Sequence, residues 1–126
     1  MARALSLWGP VGVWMVGLFV ASAQSDVGIA GRIPDWVTHG TAYCILGLLV
    51  SRATSGGFRR PLVRGEALLI VVLCTLYGVS DEFHQSFVPG RDASFWDVVK
   101  DLAGSALGVL AWKLANPGFR PRAWRT

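Results

Sequence analysis

The stretch Gly78-Val79-Ser80-Asp81-Glu82-Phe83-His84-Gln85-Ser86-Phe87-Val88-Pro89-Gly90-Arg91-Asp92-Ala93-Ser94-Phe95-Trp96-Asp97 decides how this chain is built. It holds four acids, a histidine, a glutamine and an arginine, and long apolar runs lie on both sides of it. Ionisable groups between runs of membrane-spanning length are costly to keep there, and they mark a working site more often than a requirement of the fold.

Upstream, the apolar run has its core at Ala67 to Ser80 and continues toward Phe87. Pro89-Gly90 suits the centre of a tight turn. Ser94 is placed to cap the next helix, which runs from Phe95 to Ala115 and stops at Asn116-Pro117-Gly118. Further toward the N-terminus, Pro34 opens a run from Asp35 to Ser51, as proline suits the first positions of a helix. Leu5 to Ala23 carries no charge and, at about 1.5 Å per residue, is long enough for a hydrocarbon core of about 30 Å. Pro10 is expected in the first turns of that helix, where a missing N–H is tolerated. A secretory signal ending at Ala21-Ser22-Ala23 is the rival reading, but the run exceeds the usual length of about 7–15 residues, so a retained span is expected. The chain therefore reads as one all-α domain, residues 1–126. It is expected to be a multi-pass membrane protein, an antiparallel bundle of four transmembrane helices at about 5–23, 35–51, 67–87 and 95–115.

Composition agrees. Of 126 residues, 52% are hydrophobic and 16% charged, with mean hydropathy +0.45; a soluble domain carries about a quarter charged residues. The net charge of +4 does not point to nucleic acid, because the basic residues flank apolar blocks and form no continuous face. Cys44 and Cys74 sit inside apolar runs, where small buried residues are expected and a disulfide framework is not. There is no CxxC, P-loop, GxGxxG or HExxH, no internal repeat, and no motif that names a cofactor.

Orientation follows from the basic residues in short loops. Nine of the twelve (Arg3, Arg52, Arg59, Arg60, Arg64, Lys113, Arg120, Arg122 and Arg125) fall on one side, leaving Arg32, Arg91 and Lys100 for the other. Both termini are thus expected in the cytoplasm, in a chain of the cell membrane. All the acids except Glu66 then lie in the outer half.

In that topology three polar stretches meet at the outer end. Asp35, His39 and Tyr43 recur every four residues along the second helix. Asp81, Glu82, His84 and Gln85 end the third. Arg91, Asp97 and Asp101 lead into and along the fourth. There Asp97, Asp101, Gly104 and Gly108 share one stripe, with Lys100 and Ser105 at its edges. Val98, Val99, Leu102, Val109 and Leu110 are expected on the opposite side. Gly104-x-x-x-Gly108 permits close helix approach.

Local roles compete with functional ones. Asp35 would favour a helix N-terminus through the dipole. Ser94-x-x-Asp97 fits a capping box. Phe95 and Trp96 suit an interfacial belt. His39 alone would be a buried histidine bonded to a neighbour, Tyr43 alone would be packing, and Arg91 could merely neutralise an Asp. The concentration argues for more: five carboxylates confined together (Asp35, Asp81, Glu82, Asp97, Asp101) shift one another's protonation unless paired with Arg91, Lys100, His39 or a bound cation. His39, His84 and the acids are suitable metal ligands by type, but the spacing matches no zinc pattern and no metal is assigned. No Ser or Cys stands out as an activated nucleophile.

These motifs resemble the VanZ-like family of bacterial membrane proteins: Asp35-x-x-x-His39-x-x-x-Tyr43-x-x-x-Gly47, then Tyr77-Gly78-x-x-Asp81-Glu82-x-x-Gln85-x-Phe87-Val88-Pro89-Gly90-Arg91, then Ser94-x-x-Asp97-x-x-x-Asp101-x-x-Gly104-x-x-x-Gly108. The resemblance covers the second to fourth helices; the first offers only hydrophobicity. It implies a small multi-pass membrane protein whose signature residues are Asp35, His39, Tyr43, Glu82, Gln85, Arg91 and Asp97. The family's namesake is associated with teicoplanin resistance. Trp36 stands where the family often has Lys, and Asp101 where it often has Asn, which makes this site more acidic. His84 lies outside the signature.

Three functions fit. The first is a binding protein whose pocket (Asp35, His39, Tyr43, Glu82, Gln85, Arg91, Asp97, Asp101) holds a lipid head group, a cell-wall precursor or a glycopeptide. The second is an intramembrane hydrolase or transferase acting on a lipid-linked substrate, with Glu82, His39 and Asp97 as catalytic candidates and Arg91 binding phosphate. The third is a structural partner subunit. The lipid bilayer is the expected partner in each case, nucleic acid in none, and an oligomer is compatible with all three.

Overall fold

Four continuous helices follow the four apolar runs. The computed structural model describes residues 1–25 and 33–117, and they form α1 (Ala2–Ser22), α2 (Asp35–Thr54), α3 (Arg64–Gln85) and α4 (Phe95–Ala115), with no strand among the described residues. Arg32, Arg120, Arg122 and Arg125 lie outside the described residues.

The helix ends have local causes. α3 begins at Arg64, before the apolar run, because the Val63 N–H is taken by the Glu66 carboxylate at 3.2 Å. It ends at Gln85 and not near Phe87: the Phe87 and Val88 N–H groups bond His84 O (3.1 Å) and Gln85 O (2.9 Å), a tightening at the C-terminus. Arg91 N–H then bonds Val88 O at 3.1 Å across Pro89-Gly90, and Gly90 takes φ +80°, as the third residue of a type II turn requires. α4 starts where expected, with Ser94 Oγ accepting from Trp96 N–H at 3.2 Å. The capping box is only half formed: Asp97 does not return to Ser94, whose N–H goes instead to Glu82 on α3 at 2.8 Å.

Pro10 differs from expectation. With α1 beginning at Ala2, Pro10 lies inside the helix and leaves Ser6 O without its intrahelical donor. Arg52 of α2 supplies one, at 3.2 Å.

Sequential helices run antiparallel, so α2 and α4 run parallel, and theirs is the most extensive helix pair. Glycine makes this approach close. A Cβ on Gly104 would strike the Gly40 backbone, one on Gly108 the Cys44 backbone, and one on Gly47 would lie 2.6 Å from Ser105 O. Val109 therefore faces inward, 4% exposed, together with Ser105 and Trp112; the sequence had placed it with the outward Leu102 and Leu110. α1 lies against α2 and α3 through Trp14 Nε1–H to Ala42 O (2.9 Å) and Tyr77 O–H to Met15 O (2.7 Å).

Polarity is inverted relative to a water-soluble domain. Ser51, Ser55, Asp81, Glu82, Gln85, Asp97, Asp101 and Ser105 are buried, whereas Leu68, Leu76, Phe83, Leu107, Leu110 and Leu114 are exposed. α1 and α3 are long and apolar enough to cross a membrane. α4 carries Asp97, Lys100, Asp101 and Lys113, and its acids turn toward the other helices.

The two ends of the bundle differ. At the α2–α3 linker end, protein groups satisfy one another: Trp112 Nε1–H donates to Ser55 Oγ (3.0 Å), Asn116 to Arg60 O (2.9 Å), Arg3 to Gly56 O (3.0 Å), and Arg60 pairs with Glu66 at 2.7 Å. That carboxylate raises the Arg60 guanidinium further above its ordinary pKa. The opposite end is open.

Candidate functional site

The open end is built from the start of α2, the end of α3, the Pro89-Gly90 turn and the start of α4. A cavity of about 310 Å³ lies there, and its wall includes Asp35, His39, Tyr43, Asp81, Gln85, Arg91 and Asp97. Seven of the residues singled out from the sequence thus share one cavity. Glu82 and Asp101 do not line this cavity: Asp101 bonds His39 of its wall, and Glu82 lines a neighbouring groove with Ser94 and Phe95.

His39 is the hub. Its Nδ1 lies 3.0 Å from Asp101 Oδ1, and with Asp101 ionised, a carboxylate that can only accept, Nδ1–H is the donor. Asp101, 1% exposed, reaches this position because residue 78 is glycine: a Cβ there would sit 2.5 Å from Asp101 Oδ2. The other ring nitrogen, Nε2, faces Asp97 Oδ2 at 3.8 Å. Asp97 Oδ1 in turn accepts from Lys100 Nζ at 2.5 Å. Lys100, an edge residue by sequence, is therefore the main counter-charge of Asp97.

A second chain of contacts runs along α3. Arg91 Nη2–H donates to Gln85 Oε1 (3.1 Å), and Gln85 Nε2–H to Asp81 Oδ2 (3.2 Å). Arg91 thus reaches an amide rather than neutralising an Asp, among the described residues. Glu82 accepts from Ser94 N–H through Oε2. Three oxygens here are buried with no partner among the described residues: Tyr43 Oη, Asp81 Oδ1 and Glu82 Oε1. Buried polar groups are nearly always hydrogen-bonded, so each of these requires a reason.

Not every expected residue contributes equally. Asp35 is exposed and forms part of the rim. His84 turns away from His39 toward α1, with Nδ1 3.3 Å from Ser22 Oγ and its ring stacked on Phe19 at 4.3 Å. The contribution of α1 was missed from the sequence: Leu18, Ala21 and Ser22 complete the cavity wall. The only polar signal was Ser22, inside a stretch that also resembles a cleavage site.

One ligand-type atom from each of His39, Glu82 and Asp97 lies within 4.8 Å of the other two. The three residues come from three different helices, which is why spacing along the chain did not show it. Chemically the site offers an imidazole oriented by a carboxylate, further carboxylates, a guanidinium and an amide. Such a set can bind a polar, partly anionic group or transfer a proton.

No curated protein and no solved structure compared with the chain matches it. The helices, the open polar end and the inverted polarity are accompanied by one family match, which extends into α1 as well as covering the three helices that carry the motifs. A family model described as VanZ/LLP1 matches residues 8–116, and the chain belongs to that family.

Proposed function

We propose that the protein crosses the cell membrane four times, with both termini cytoplasmic, and that its cavity opens outward to hold a polar ligand of the cell envelope. The inverted polarity supports the spans: large apolar side chains on all four helices are exposed, as lipid contact requires, and the carboxylates Asp81 and Glu82 of α3 and Asp97 and Asp101 of α4 are buried. The distribution of basic residues supports the orientation.

One observation carries the binding reading. Tyr43 Oη and Asp81 Oδ1, on residues of the cavity wall, are buried with no partner among the described residues, and so is Glu82 Oε1, whose carboxylate lies close to the wall residues His39 and Asp97. The cavity volume lies at the low end of ligand pockets, ~300–1,000 Å³. Oxygens left open beside a cavity suit hydroxyl or amide donors of a sugar, peptide or head group, and Arg91 suits a phosphate or carboxylate. A link to glycopeptide antibiotics rests on the family's namesake. Titration of the detergent-purified protein with a polyprenyl diphosphate, and in parallel with a glycopeptide, tests this. Saturable binding that Glu82→Gln and Arg91→Ala each weaken tenfold or more is expected. Equal binding by both variants contradicts it.

The His39–Asp101 hydrogen bond favours one second reading, an intramembrane hydrolase or transferase. In it His39 moves a proton, Glu82 or Asp97 acts as base, and Arg91 holds the phosphate of a lipid-linked substrate. A screen against lipid-linked phosphates decides: absence of any turnover dependent on His39 or Glu82 removes this reading.

A further inference from the structure

We propose that His39, Glu82 and Asp97 bind one divalent first-row transition-metal ion between α2, α3 and α4. Each of the three has one atom fixed by the protein and another left for a ligand. His39 Nδ1 is fixed by Asp101 at 3.0 Å, and in the neutral Nδ1–H imidazole that a metal ligand must be, Nε2 presents a lone pair. Asp97 Oδ1 is fixed by Lys100, while Oδ2 has no hydrogen bond among the described residues and faces Nε2 at 3.8 Å. Glu82 Oε2 is fixed by Ser94 N–H at 2.8 Å. Its Oε1 has no partner among the described residues although Glu82 is only 5% exposed.

Two electron-pair donors that face each other without a proton between them repel; an ion placed between them removes the conflict. The separations suit this. Donors at about 2.1 Å from a tetrahedral ion lie about 3.4 Å apart, and one ligand-type atom from each of the three residues lies within 4.8 Å of the other two before any ion draws them in. Asp101 stands where a second carboxylate behind a metal-bound histidine orients the ring and raises its basicity. One imidazole with two carboxylates suits Mn²⁺ or Zn²⁺ better than Ca²⁺ or Mg²⁺, which favour all-oxygen sites. The rival explanation is an imidazolium at His39 bridging Asp101 and Asp97 with no ion.

The tag-free full chain in detergent, stripped with chelator, is titrated with Zn²⁺ and Mn²⁺. No envelope ligand is present, so this test succeeds or fails apart from the cavity reading. One ion per chain is expected, with affinity reduced tenfold or more by His39→Ala and by Glu82→Gln and unchanged by His84→Ala. Should the site variants fail to fold, electron spin-echo spectroscopy of Mn²⁺ on the unaltered protein reads the same claim, with modulation from one imidazole nitrogen expected. No stoichiometric ion on the unaltered protein, full affinity in both site variants, or bound Mn²⁺ without a nitrogen signal would each overturn the proposal.

Discussion

Two glycines face each other where α2 meets α4, and they should respond oppositely to the same substitution. A Cβ on Gly104 would stand 3.0 Å from Gly40 C and Cα and closer still to its carbonyl oxygen. Carbon atoms prefer separations of about 3.5–4.0 Å. The obstructing atoms are backbone and cannot rotate aside, so the helices must part by roughly 0.5–1 Å, which forfeits a quarter to a half of the dispersion at each parted contact. Overpacking of this kind costs about 1–3 kcal/mol. The helix propensity of alanine over glycine returns up to about 1 kcal/mol. Gly104→Ala is therefore expected to lower stability by roughly 1–2 kcal/mol. A Cβ on Gly40 meets nothing within 4 Å, so Gly40→Ala keeps only the propensity term and raises stability by about 0.5–1 kcal/mol. Unfolding in mixed micelles, followed by tryptophan fluorescence, measures both. A Gly104→Ala protein as stable as the unaltered one, or a Gly40→Ala protein equally weakened, refutes the parallel α2–α4 contact.

Further outcomes follow from individual bonds and from the topology. Trp112→Phe leaves the fully buried Ser55 hydroxyl without its partner and should cost about 1–3 kcal/mol in the same unfolding assay. Ser94→Ala removes the cap of α4 but keeps the N–H that Glu82 accepts; a loss of about 1 kcal/mol with ligand binding retained is expected. For orientation, a membrane-impermeant thiol reagent added to intact cells should label Ala93→Cys and spare Phe58→Cys. Labelling of position 58 from outside reverses the topology.

Local chemistry made much of the architecture legible. Ser94, Pro89-Gly90 and the stripe Asp97, Asp101, Gly104, Gly108 each act within a turn or two of chain, and α4 lies where they place it. The candidate residues were readable for a related reason: charges on apolar helices are conspicuous. Pairing between helices was not. That Glu82 serves Ser94, that Lys100 takes one oxygen of Asp97, and that Arg52 serves the carbonyl freed by Pro10 all depend on helix rotation and register. Spacing along one helix leaves those undetermined. Val109 shows the limit, since its side of α4 is set by where Ser105 and Trp112 pack. His84 shows another: it is close in sequence to Glu82, yet two residues further around α3 turn it to α1.

The central claim is that the polar end exists for a ligand and does not merely hold the bundle together. Glu82→Gln separates the two. The glutamine carbonyl still accepts from Ser94 N–H, and Glu82 Oε1 has no partner among the described residues to lose. Thermal unfolding measured together with polyprenyl diphosphate binding on this one variant gives the answer. The account predicts a melting temperature at or above that of the unaltered protein, with binding weakened tenfold or more. A strongly destabilised variant, or a stable one that binds as before, contradicts it.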